Sequence, residues 1–208
     1  MGAKLGRLLV LLAVPILLSS TACGGGGVSA GPSSGQAITG FNPSDAHVEA
    51  SFASIDTAAR DSPDALRQSA LAHLHDKNPN AHFAAVYGLA LTVTRSQGSS
   101  EMAGLLTSTD IDDRMLAAAA LTGIGDKRGL PVLIGALDVA DELSSGDPPP
   151  PAFEFAKTEL LYFTTQDFGL KLSSDRASAA ATKPSWEAWW QANQGSINFD
   201  TSLRKYVI

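Results

Sequence analysis

Across residues 44–208 apolar side chains recur at helical spacing. Leu130, Leu133, Ile134 and Leu137 sit at i, i+3, i+4 and i+7, and Ala117, Ala120, Leu121 and Ile124 repeat that interval. Strand-like alternation is confined to the last dozen residues. Alanine-rich helices with one narrow apolar stripe do not stand alone in water, so each needs neighbours to cover it. The pattern predicts a leading helix at 44–60, then helix pairs at 64–75/81–94, 100–107/112–124 and 130–143/152–165.

The pairs resemble one another. Leu74 and Leu106 are 32 residues apart, as are His82 and Arg114, and Ala85-Val86 falls on Ala117-Ala118 at the same offset. Asn78 falls on Asp110, and both residue types are good helix N-caps. A third copy aligns when Ala117 and Leu121 are laid on Ala156 and Leu160. The spacing there is 39, and the insertion running from Ser144 through Pro148, Pro149, Pro150 and Pro151 accounts for the extra length. Self-similarity at this period is the signature of a repeat architecture.

The run from Asp113-Arg114 through Ala117-Ala118-Ala119-Ala120-Leu121 to Gly125-Asp126, followed by Gly129-Leu130-Pro131, resembles a bacterial HEAT repeat. In that family an Arg opens the second helix, Gly-Asp turns the chain, and Pro sits just inside the next helix. The resemblance implies an all-α fold, a short right-handed HEAT-like α-α superhelix whose inner row of helices holds proteins or peptides. His82 and Phe153 stand where the family's Arg is expected, so a regular Arg–Asp ladder is not implied. The block Thr164-Thr165-Gln166-Asp167-Phe168-Gly169, then Pro184-Ser185-Trp186-Glu187-Ala188-Trp189-Trp190, is similar to the endings of many HEAT-repeat proteins. Trp186, Trp189 and Trp190 share one helical face, with Pro184 suited to the first turn and Gly195 to the stop. A solenoid must seal its last layer, and three indoles on one side supply a Trp-rich C-terminal cap at about 166–208.

The chain opens on a different pattern. Lys4 and Arg7 precede an apolar run from Leu8 to Leu18, and small residues lead to Cys23, the one cysteine. The run is shorter than the ~20 residues a membrane span requires and lies where an export signal lies. The segment resembles a lipoprotein signal, in which the cysteine after the cut carries the lipid. Ser20 stands where that pattern prefers Leu, and Ser20-Thr21-Ala22 would also suit an ordinary signal peptidase, which would yield a soluble secreted or periplasmic protein. An unpaired thiol is a liability in an oxidising compartment, which favours lipidation of Cys23. Residues 23–43 are Gly, Ser and Pro with little to bury, and suit a tether holding the 44–208 domain off a membrane.

The whole chain carries 15 basic and 21 acidic residues; without Lys4 and Arg7 the balance is 13 against 21, or −8. That charge disfavours nucleic acid, which needs a clustered basic face, and offers no polybasic attraction to anionic lipid. The expected membrane contact is the N-terminal lipid alone. Catalytic patterns fail on their context. Asp167-Phe168-Gly169 lacks the other kinase elements, and Gly24 to Gly27 lacks the Lys-Ser/Thr of a phosphate loop. His73 and His75, two apart, diverge on a helix, and Ile111 interrupts Asp110, Asp112 and Asp113 as an oxygen set for calcium. An N-cap role for Asp110, with Asp112 and Asp113 favoured by the helix dipole, accounts for all three. Glu154 and Glu159, five apart, do not face each other as an acid and base.

No catalytic, cofactor or metal site is therefore expected. The expected function is a non-catalytic interaction or scaffold module in the cell envelope, with an unknown protein or peptide partner. Pro148, Pro149, Pro150 and Pro151 are the candidate contact, as a stiff polyproline segment standing out from one edge. A structural envelope protein and a lyase-type HEAT-like enzyme are the alternatives.

Overall fold

A computed structural model describes residues 48–144 and 150–208, without the side chains of 48–53 and Asn80. Its elements, in order, are α1 (Val48–Asp61), α2 (Pro63–His73), α3 (Pro79–Thr92), α4 (Ser99–Leu105), α5 (Ile111–Gly123), α6 (Leu130–Gly135), α7 (Ala152–Phe163) and α8 (Arg176–Asn193). A short antiparallel hairpin, β1 (Asn198–Asp200) and β2 (Lys205–Val207), closes the chain with Phe199 opposite Tyr206. The described part is thus mostly helical, in line with the helical periodicity of the sequence.

Local chemistry sets the boundaries. Pro63 and Pro131 occupy first-turn positions of α2 and α6, where a missing N–H costs nothing. Asp110 caps α5 by accepting from Asp112 N at 2.8 Å, as its N-cap role requires. The turn into the next pair needs Gly125, at φ +78°, where a Cβ would lie 2.7 Å from the Phe199 ring. Gly129 is needed for another reason. Its φ is ordinary at −69°, but any Cβ would run into the Ala118 carbonyl oxygen of α5.

Buried side chains form two cores joined through α5. Leu116, Ala117, Ala120 and Leu121 face the N-terminal core, with Ile55, Leu66, Val86, Tyr87, Leu89 and Met102. Met115, Ala118 and Ala119 face the C-terminal core, with Leu133, Phe155, Leu160, Phe163 and Trp186. Every residue of α5 from Met115 to Thr122 is buried. Four consecutive alanines let neighbouring helices approach closely from several directions, so the middle helix offers no open inner face.

Two expected elements differ. The predicted helix at 130–143 is α6 followed by a single 3-10 turn, Ala136–Asp138, and then extended chain from Val139. That extended chain pairs with the start of α7: Phe153 N donates to Val139 O, Ala152 N to Asp141 O and Leu143 N to Pro150 O. The backbone bonds gained across the insertion displace further helix. Pro184, expected in a first turn, lies instead inside the 18-residue α8. The helix starts earlier because Asp175 accepts from Ser178 N at 2.8 Å and an alanine-rich segment follows.

The C-terminal lid is assembled around α8. Trp186 is fully buried, Trp189 is 8% exposed and Trp190 is half-buried. The Asp167-Phe168-Gly169 segment is a turn in which Gly169 N donates to Asp167 Oδ1, with Phe168 held at φ +47°. That strained backbone sets the Phe168 ring edge-on to Trp186, with centroids 5.0 Å apart, and Trp186 edge-on to Trp189 at 5.7 Å.

Candidate interaction surfaces

Of the residues expected to carry function, Cys23, Pro148 and Pro149 lie outside the described residues, as do the export signal and the tether. Pro150 and Pro151 are half-buried at the base of the insertion. The Pro150 carbonyl accepts from Leu143 N, Glu142 bridges to Pro151, and Pro151 caps α7 in polyproline geometry at φ −66°, ψ 151°. These two prolines are therefore a fixed foot for the insertion. Its other foot is held by Asp112, whose carboxylate accepts from Ser144 N at 2.9 Å across 32 residues. Burial raises the Asp112 carboxyl above the usual range, against the lowering effect of the Ser144 bond.

Asp113 has an equally specific task. His82 Nε2 meets its Oδ1 at 2.9 Å, Ser108 Oγ donates to its Oδ2 at 2.8 Å, and His82 Nδ1 lies 2.6 Å from Leu74 O. Arg114, at the repeat position of His82, donates from Nη1 to Ser108 O at 2.7 Å. Both side chains thus cover carbonyls at the end of the preceding helix. The helix dipole alone, offered above for Asp112 and Asp113, understates them: each fastens one helix pair to the next. Ser108, Asp113 and His82 contain the residue types of a hydrolytic triad, but the order is wrong. Ser108 Oγ bonds the carboxylate, and among the described residues no imidazole is placed to take its proton.

The burial of Glu159 and of Lys157 escaped the sequence reading. Glu159 is 1% exposed, its Oε2 has no hydrogen-bond partner, and burial pushes its carboxyl up to about 8. Helical arithmetic could have found it, since Phe155, Glu159 and Phe163 are four apart on one stripe. Lys157 is equally buried, with Nζ donating to Ser174 O at 2.7 Å and to Glu154 Oε2 at 2.8 Å, 5.5 Å from the Phe153 ring centre. Glu154 therefore serves Lys157, and neither Glu159 nor Lys157 reaches solvent to act on a substrate.

Among the described residues no group of three or more His, Cys, Asp or Glu side chains is placed to hold a metal, and no helix is long and apolar enough to cross a membrane. Comparison with known protein families, with curated proteins and with solved structures finds no match to this chain.

Proposed function

We propose that this chain is a non-catalytic protein–protein interaction or scaffold module of the cell envelope, built as a short right-handed HEAT-like solenoid and anchored by a lipid on Cys23. One observation carries the repeat reading: His82 and Arg114, 32 residues apart, each cover carbonyls at the end of the helix before them. Successive pairs α2/α3, α4/α5 and α6/α7 pack through their second helices, the arrangement that a stack of repeats requires. The burial of α5 from Met115 to Thr122 moves the binding surface from the inner row to the edge turns, among them the proline insertion. The envelope assignment rests on the pattern from Lys4 to Cys23.

Crosslinking in the intact envelope, followed by detergent solubilisation and pull-down of the full chain, tests this. The expected result is a stoichiometric partner that is lost when Pro148 to Pro151 are replaced by Gly-Ser without a change in helical content. Self-association alone would overturn the interaction reading in favour of a structural envelope protein. Cys23→Ser is expected to release the chain from the membrane fraction. A variant that still sediments with membranes, beside a wild type without acyl mass, would overturn the anchor.

A further inference from the structure

The edge beside α2 holds an open polar groove of about 450 Å³, lined by Asp64, Arg67, Gln68 and Leu71 of α2 and by the turn from Ser96 to Glu101. Its volume is in the range of small-ligand sites. Arg67, one of the lining residues, is 7% exposed. Nε donates to Thr92 O at 2.7 Å, and Nη1 to Asp64 Oδ1 at 2.7 Å and to the Gln97 side-chain oxygen. These bonds use the Nε–H and both Nη1 hydrogens, and among the described residues no hydrogen-bond partner is present for Nη2. A guanidinium presents five N–H donors in a fixed fork, so two of them stay uncommitted beside the groove. Among the described residues the one carboxylate that touches Arg67 belongs to Asp64, whose side chain is 82% exposed. A buried cation with so exposed a partner can accept a second carboxylate.

We propose that this groove binds the free carboxylate end of a short peptide, with Arg67 Nη2 donating to the carboxylate. The remaining lining fits the rest of such a ligand. Gln68, Ser96, Gln97 and Ser100 supply neutral donors and acceptors for backbone amides, and Leu71 supplies an apolar patch for a small side chain. Asp64 and Glu101 supply two acids for a terminal ammonium. One cation and two anions around a polar trough match a zwitterion better than a simple anion, which the chain's net charge of −6 repels. The inference takes its partner class from the interaction reading above but has its own readout.

The test is titration of the full chain with trialanine, trialanine amide and acetate, followed by amide and arginine Nε–H chemical shifts. Trialanine is expected to shift Arg67 and residues 96–101, with half-saturation at or below about 1 mM. The amide and acetate should each bind at least ~10-fold more weakly. Ser100→Trp, at an exposed lining position, should abolish the shifts. Arg67→Lys, which keeps the charge but loses the fork, should weaken them ~10-fold. Equal binding of the amide would overturn the carboxylate assignment, and equal binding of acetate would reduce the groove to an anion site. Absence of shifts at these residues would remove the site altogether, leaving the envelope pull-down to judge the module.

Discussion

Glu159→Gln is expected to make the domain more stable at alkaline pH. The Glu159 carboxyl is buried in the C-terminal core, and desolvation alone raises it from 4.5 to about 8. Below pH 4.5 the group is protonated whether the chain is folded or unfolded, so no penalty exists. Between 4.5 and about 8 the unfolded chain releases the proton while the folded chain keeps it, and stability falls as pH rises. Each pH unit in that window costs ~1.4 kcal/mol, so roughly 3 kcal/mol is lost by pH 7 and on the order of 5 kcal/mol above pH 8. Gln has the same shape as neutral Glu and does not ionise. The variant should match the wild type at pH 4.5 and exceed it by several kcal/mol at pH 9. Urea melts followed by circular dichroism at pH 4.5, 7 and 9 give both stabilities. The difference between the two proteins cancels other groups, such as Asp112, whose raised carboxyl adds a slope of the same sign. Parallel pH dependence in the two proteins would show that Glu159 ionises normally in the fold, and the buried-acid argument would be wrong.

Leu121→Ala, which empties a fully buried site on α5, should cost ~2–5 kcal/mol in the same melts, and a loss under about 1 kcal/mol would contradict its burial. Gly129→Ala forces a methyl against the Ala118 carbonyl and should cost ~1–3 kcal/mol although its φ suits alanine; a neutral result would refute the close approach. With Trp186 and Trp189 buried and Trp190 half-buried, tryptophan emission should be blue-shifted and most of it protected from iodide. Free quenching of all three indoles in the folded protein would refute the lid.

The elements that the sequence made legible are those fixed by local rules. Period, capping and prolines located α2 to α5 and α7 to within a few residues, and the one-sided indoles of 186–190 announced a lid. The misjudged segments answer to non-local bonds. Nothing within 130–143 says that Val139 and Asp141 will accept from Phe153 and Ala152, because that pairing closes across the insertion. Pro184 reads as a helix start by position, but Asp175 and the alanines after it outweigh the loss of one backbone bond. The groove was invisible for a similar reason. Arg67 and Gln97 are 30 residues apart, and only the packing of α2 against α3 brings the 94–99 turn over the guanidinium.

The basic residues have a common use that composition conceals. Lys127 donates to Gln194 O, Lys157 to Ser174 O, Lys183 to Gly135 O and Lys205 to Thr164 O. Arg95 donates to Ile124 O, and Arg114 to Ser108 O. These cations cover carbonyls at turns and helix ends, where a positive charge also answers the negative end of a helix dipole. Four of those bonds tie the 164–208 region to earlier elements or fasten its own loops. The hairpin and lid are thus held by lysines as well as by indoles. The consequence reaches the surface. Arg60, Lys77, Arg95, Arg128, Lys171 and Arg176 stay exposed, beside acids such as Asp64, Glu101, Asp110 and Glu187 on α2, α4, the α5 cap and α8. The described surface is therefore mixed in sign, with acids in excess. Arg67, with two N–H donors left without a partner among the described residues, is the place on it where the proposed carboxylate would bind.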